Sequence, residues 1–194
     1  MPTRTRISRG VPNRQPAREE MSGYEQPRPL EPGAPGISVR MAPAGLDDML
    51  IDYLRAAQAL ERVDLCVLDQ AGRLDLDPVT TDIFCAHRMQ TRGHLRLIEE
   101  RLSAHRASPS DAEDLVRVAG LSVDFDPDAM FTPAQLAVSA YALENLEIGI
   151  YHVLIGVARQ LHDRETEAVA ERILEQEETA AELVASRITT AAVA

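Results

Sequence analysis

The sequence predicts an all-α fold, a four-helix bundle made of two antiparallel helical hairpins joined by a connector that contains a short helix. Three observations predict it. The first is composition: 45% of the 194 residues are hydrophobic but only 4% are aromatic, and Trp is absent, so aliphatic side chains must fill the core. The second is apolar periodicity, with steps of three and four residues sustained over four long segments. The third is punctuation: Gly, Pro and capping residues fall between those segments and not within them.

The first segment starts at Leu46, where Leu46, Leu50, Tyr53, Ala57, Leu60, Val67 and Ala71 trace one helix face, and Gly72 supplies a stop. Asp77-Pro78 then offers an N-cap and a proline at the first helical position. The second helix runs to about His105 with Ile83, His87, Thr91, His94, Ile98 and Leu102 on one face. Ser108-Pro109-Ser110 breaks it. Ser110 and Glu113 form a capping-box pattern, which predicts a short helix over 111–119 ended by Gly120, followed by an Asp-rich loop from Val123 to Phe131. Thr132-Pro133 opens the third long helix, with Leu136, Ala140, Leu143, Glu147, Ile150, Leu154, Val157 and Leu161 in one stripe. After a short junction at His162-Asp163-Arg164, the fourth carries Val169, Ile173, Glu177, Ala180 and Val184. Short tips make each pair antiparallel. The connector is long enough to run the length of the bundle, so a crossover and an up-down-up-down order both remain open.

Residues 1–43 form a different kind of segment. They hold eight of the 12 prolines and seven Arg against four Glu, a local charge of +3 that leaves −14 on the remainder of a chain whose net charge is −11. Such a segment cannot bury enough apolar surface to offset its ordering entropy, so a disordered N-terminal arm over 1–43 is expected ahead of a bundle over 44–190. The arm is read either as an inert tail or as a partner-docking tail. The acidic bundle argues against nucleic acid as a partner. All 20 basic residues are Arg, which excludes lysine nucleophiles and Schiff-base chemistry. There is no apolar leader and no run of about 20 apolar residues, so no membrane association and a cytoplasmic location with Cys66 and Cys85 reduced are expected. Phosphate-binding loops, dinucleotide turns, nucleophile elbows and metal-finger cysteine spacings are missing.

The informative positions are ionisable residues inside apolar stripes. Glu147 interrupts the third helix; Glu177 interrupts the fourth, with Glu178 at its shoulder. Counted outward from the tip near residue 163, all three lie at one height. Counted from the tip near 75, Glu61 and Gln90 match each other, with His87 and His94 about one turn to either side. A buried carboxylate is costly unless paired or metal-bound, and two at one level need a proton or a cation between them. Carboxylate oxygen with some imidazole suits iron or manganese. Candidate metal ligands are therefore Glu61, His87, His94, Glu147, Glu177 and Glu178. Structural pairing with Arg is the competing account of the carboxylates, and ordinary interior hydrogen bonding that of the histidines. Asp64 also interrupts its stripe, Glu144 and Tyr151 lie beside Glu147, and a neighbouring Arg or His would account for the former.

The segment Glu144-Asn145-Leu146-Glu147-Ile148 with Tyr151 resembles the third-helix signature of the YciE/YciF-type ferritin-like bacterial stress proteins. Leu174-Glu175-Gln176-Glu177-Glu178 is similar to their fourth-helix signature, and His87, Thr91 and His94 to their second. The resemblance covers about residues 46–188 and implies a ferritin-like bundle, a dimer, and a role in stress response. Where that family carries acids, this chain has Ala56 and Gln90. Two-metal, single-metal and metal-free bundles all stay open. The functions that follow are a ferritin-like protein binding iron or manganese in stress response, or a non-catalytic dimerisation or docking module with a degenerate, metal-free site.

Overall fold

A computed structural model describes residues 45–110 and 131–191. The expected arm over 1–43 and the short helix over 111–119 lie outside the described residues. The chain clusters into two units, Met1–Gly36 and Ile37–Ala194, and every described residue belongs to the second.

Among the described residues four helices carry the fold: α1 (Leu46–Ala71), α2 (Pro78–Ala104), α3 (Pro133–Leu161) and α4 (Arg164–Ala191). The starts of α2 and α3 follow the sequence signals. Asp77 caps α2, its carboxylate accepting from the Thr80 N–H at 3.2 Å ahead of Pro78. Thr132 opens α3 with a full capping box: its hydroxyl accepts from the Gln135 N–H, and the Gln135 side chain accepts from the Thr132 N–H. Asp163 caps the start of α4 by accepting from the Thr166 N–H at 3.1 Å.

The stops are less legible. Helix α1 ends at Gly72 as expected, yet Gly72 keeps a right-handed φ of −69°. The turn closes instead by Arg73 and Leu74 N–H groups donating to the Gln70 and Ala71 carbonyls. Helices α2 and α3 both end on a left-handed residue that is not glycine, Arg106 (φ 56°) and His162 (φ 59°). At each, the left-handed residue donates to the carbonyl three back (Ser103, Arg159), and the next residue donates to the carbonyl five back (Leu102, Ala158). That pair of bonds is the Schellman stop usually built on glycine.

Helix directions settle the topology. Along α1 and α2, Gln58 meets Glu99, Asp64 meets Thr91 and Asp69 meets Arg88, so the two run antiparallel. Along α2 and α4, Asp77 and Thr80 meet Arg187, His94 meets Gln176, and Arg101 meets Thr166, again antiparallel. The α3–α4 hairpin is antiparallel through its tight tip, where Arg159 meets Glu167. Helices α2 and α3 are therefore parallel, the order found in ferritin-like folds with one long crossover and not the up-down-up-down one. Residues 108–110, just past the end of α2, lie against α1. The Arg55 guanidinium donates to the Ser108 carbonyl at 3.1 Å, Gln58 accepts from the Ser110 N–H at 2.7 Å, and Arg62 donates to the Ser110 hydroxyl at 2.9 Å. These partners advance along α1 toward the opposite end.

The core is aliphatic with two aromatic exceptions. Leu50, Leu54, Leu60, Leu68, Phe84, Ile98, Leu136, Tyr151, Leu154, Ile173 and Val184 are buried in one cluster to which all four helices contribute. Each such side chain contributes about 1.5–3 kcal/mol on leaving water. Cys66 and Cys85 are both free and exposed, so no disulfide staples α1 to α2.

Candidate metal centre

Halfway along the bundle the aliphatic core gives way to ionisable side chains. Glu61 and Asp64 come from α1, His87 and His94 from α2, Glu144 and Glu147 from α3, and Glu177 from α4. All seven are buried, the five carboxylates completely. Helical geometry makes each grouping: residues three apart share a face, as Glu61 and Asp64 or Glu144 and Glu147 do, and so do residues seven apart, as His87 and His94.

The side chains converge in three overlapping triads. Glu61, His94 and Glu177 form one; Asp64, His87 and Glu144 form a second; Glu144, Glu147 and Glu177 link them, with ligand atoms in each triad within 4.8 Å of one another. Glu177 serves both sides: one oxygen lies 2.7 Å from His94 Nδ1, the other 3.6 Å from His87 Nε2. His87 Nε2 is also 2.8 Å from Glu144 and 3.3 Å from Asp64.

Several of these contacts are close without the alignment a hydrogen bond requires. Among the described residues, Asp64 Oδ1, His87 Nε2 and both oxygens of Glu144, Glu147 and Glu177 have no hydrogen-bond partner. Atoms that crowd together without donating to each other are arranged as ligands are: adjacent donors about 2.1 Å from an octahedral ion sit about 3 Å apart. The donor set, hard oxygen with two imidazoles, suits iron or manganese. The residues present therefore fit a pair of metal ions.

The nitrogens that face away from the centre are held by glutamines. His94 Nε2 lies 2.7 Å from Gln176 Oε1, and His87 Nδ1 lies 3.5 Å from Gln90 Oε1. A neutral amide oxygen there selects the tautomer that leaves the inward nitrogen with its lone pair, the usual outer support of a metal-binding imidazole. Gln90 thus stands beside the centre as a support for His87. Ala56 is buried in the aliphatic core, and the acids of α1 are Glu61 and Asp64 instead.

Electrostatics show what the cluster costs without a cation. Burial raises Glu61 to about 7 and Glu144 to about 9, and it raises Asp64 above the usual carboxylate range. Glu147 is held well above that range by burial and by the charges of Glu61, Glu177, Asp64 and Glu144. Burial works against the charged imidazoles, but the carboxylates of Asp64 and Glu144 outweigh it at His87, which reaches about 12. At His94, Glu177 and Glu61 do the same and carry it to about 10. Glu177 goes down: burial pushes it up, and the two histidines more than reverse that. Protons and imidazolium charge thus neutralise the carboxylates where no cation does.

Of the residues the sequence singled out, the structure brings Glu61, His87, His94, Glu147 and Glu177 together. Glu178 does not join them; it is exposed, because one further residue turns the side chain about 100° around α4. Sequence reasoning did not place Asp64 and Glu144 among the ligands. The signal that could have found them is the three-residue spacing to Glu61 and Glu147. Arg partners, the alternative account of the acids, are engaged elsewhere: Arg101 with Asp163, Arg159 with Glu167 and Glu171, Arg187 with Asp77. Within 4 Å among the described residues, the ion pairs of Glu61, Asp64, Glu144 and Glu177 are with His87 and His94.

Solved structures share this architecture. A protein from Xanthomonas campestris pv. campestris superposes with a TM-score of 0.63 at 22% identity, covering 77% of this chain and 94% of that one. The E. coli stress protein YciF superposes with a TM-score of 0.62 at 19% identity, covering 76% and 97%. A dodecameric thioferritin, a bacterioferritin-related protein from Bacteroides fragilis, gives 0.62 at 21%, covering 75% and 88%. At these identities the likeness establishes a ferritin-like helical bundle. A comparison with curated proteins finds no match. The family model described as "Domain of unknown function (DUF892)" matches residues 45–193, so this chain belongs to that family, in keeping with a YciF-type ferritin-like protein.

Proposed function

We propose that the bundle binds a pair of iron or manganese ions between its four helices. One observation carries this reading: eight buried carboxylate and imidazole atoms converge mid-bundle without hydrogen-bond partners. Leaving such groups unpaired costs about 1–3 kcal/mol each, more when charged, so a bare network is a poor way to stabilise a core. Glu61 with His94, and Asp64 with His87 and Glu144, would each hold one ion, while Glu177 and Glu147 lie between the two. Five carboxylates against two divalent ions leave a near-neutral interior. Iron or manganese held there supplies one-electron redox chemistry that this chain's own side chains lack. The protein's part is to orient the ligands through Gln90 and Gln176 and to keep bulk water out with the surrounding aliphatic layers.

The likeness to an E. coli stress protein supports a stress-response role, and the assembly of the B. fragilis neighbour supports an oligomer, for which we put forward a dimer. No helix among the described residues is long and apolar enough to cross a membrane. A cytoplasmic site of action belongs to the same proposal. The test is metal analysis of the purified protein, then thermal-shift and oxidation assays with Fe(II) and Mn(II). Metal-free protein whose melting is unmoved by either ion would favour the alternative, a docking or dimerisation module with a degenerate centre.

A further inference from the structure

The five carboxylates at the middle of the bundle are sealed from solvent, so an ion that reaches them passes between two helices. Level with them, among the described residues, most half-buried positions are apolar: Val63, Leu65, Leu95, Leu146, Ile148 and Leu174. Arg88 is a polar exception, and Asp69 engages it. The other two are Gln90 on α2 and Gln176 on α4, with Gly93 about one turn from Gln90. They lie on the seam where His94 of α2 meets Gln176 of α4. Ile83, Gln90 and Leu97 are seven residues apart and share one edge of α2, so that edge is apolar on either side of the glutamine.

The hydrogen bonds around the centre follow the same division. Those of Thr91 to Asp64 and of Tyr151 to Glu61 are buried, whereas those of His94 to Gln176 and of His87 to Gln90 are only partly buried. On this side, and at this height, one amide side chain separates each histidine from solvent. A hydrated divalent cation dehydrates reluctantly and needs other oxygens in place of its water. An aliphatic layer offers none, and an amide oxygen does.

We infer that divalent cations enter and leave the centre between α2 and α4, through a window formed by Gln90, Gly93 and Gln176. Each glutamine swings off its histidine, its amide oxygen replaces water on the passing ion, and it then returns to orient the imidazole. Gly93 supplies the room, for a methyl group there would have no neighbour within 4 Å beyond its own helix. Glycine inside a helix is unfavourable relative to alanine, and no close approach to another helix requires it at this position. This route rests on the metal-binding reading above.

The test uses metal-stripped, full-length protein and Mn(II). Uptake is followed as loss of the electron paramagnetic resonance signal of free Mn(II), release as withdrawal of the ion by EDTA, and affinity by calorimetry. Gly93→Leu fills the window without touching a ligand. It is expected to slow uptake and release alike by at least about tenfold, with affinity within about twofold of wild type. Gly93→Met repeats the block with a more flexible side chain, and melting curves check that each variant folds. Gly93→Ala stiffens the helix as much but adds only a methyl group, so both rates should stay within about twofold. Val153→Leu adds bulk on the exposed face of α3 and should leave both rates unchanged. Unmoved rates in Gly93→Leu and Gly93→Met, a change confined to release, equal slowing in Gly93→Ala, or slowing in Val153→Leu would overturn the route while leaving metal binding intact. Absence of Mn(II) uptake by the wild type would overturn the metal-binding reading and the route with it.

Discussion

Glu147 is completely buried, and neither of its carboxylate oxygens has a partner among the described residues. A residue in that state opposes folding and is retained only where it serves another end. Replacing it by an apolar side chain of similar size, Glu147→Leu, is expected to stabilise the metal-stripped protein by about 1–3 kcal/mol. The same variant should lose most of the Mn(II)-induced rise in melting temperature; a fall in the melting temperature of the stripped variant would contradict this account. Gln176 acts one step further out. With its oxygen removed in Gln176→Leu, His94 loses the bond that orients it, and metal affinity should drop by about 10–100-fold with helicity unchanged. At this scale the sequence is half legible. Broken apolar stripes mark Asp64, His87, His94, Glu147 and Glu177, because a polar group on an apolar face is visible in one dimension, and height counted from the hairpin tip adds Glu61. Asp64 reads as a break that one Arg or His partner would satisfy, Glu144 looks like a neighbour of Glu147, and Glu178 looks interchangeable with Glu177. Only the rotational phase of each helix separates an inward residue from one beside it.

At the scale of the element, starts were easier to read than stops. Asp77-Pro78 and Thr132-Pro133 act through their own side chains and ring geometry, so residue type suffices to find them. Helices α2 and α3 end on Arg106 and His162 in left-handed conformations that residue type disfavours. Such a residue costs about 1–2 kcal/mol relative to glycine, offset by roughly 0.5–1 kcal/mol of glycine's greater freedom in the unfolded chain. Arg106→Gly and His162→Gly are therefore each expected to raise stability by up to about 1 kcal/mol, additively, in denaturant titrations. A loss of stability at either would show that the side chain, and not the backbone, holds that stop. At the α3–α4 tip the backbone is backed by a polar knot: Asp163 caps α4, lies 2.8 Å from His105 Nε2, and pairs with Arg101 at 3.3 Å. This knot ties the end of α2 to the turn between α3 and α4.

Across the whole molecule, α2 and α4 are clasped at both ends, by Arg101 and His105 on Asp163 at one end and by Arg187 on Asp77 at the other. Asp77 accepts from the Thr80 hydroxyl and from Arg187, and these bonds bring its pKa down from 3.8 to about 2. A carboxylate depressed in the folded state contributes stability that is present above its unfolded value and lost as pH falls through the folded one. The clasp should therefore weaken as pH drops from about 4 toward 2. Asp77→Asn is expected to melt lower than wild type near neutrality, with the gap closing below about pH 3. An acid-side gap as wide as the neutral one would rule out this contribution.

Periodicity, capping signals and the polar breaks in each stripe determined, from sequence alone, an all-helical bundle of two hairpins with acids and histidines at its middle. These are local properties, carried by residue type and spacing along one helix at a time. The direction of α3 relative to α2, the meeting of Asp64 with His87 and Glu144, the outward turn of Glu178, and the glutamines behind the histidines were decided only by tertiary structure. Each depends on how one helix is rotated and placed against another, and packing of four apolar faces against each other sets that.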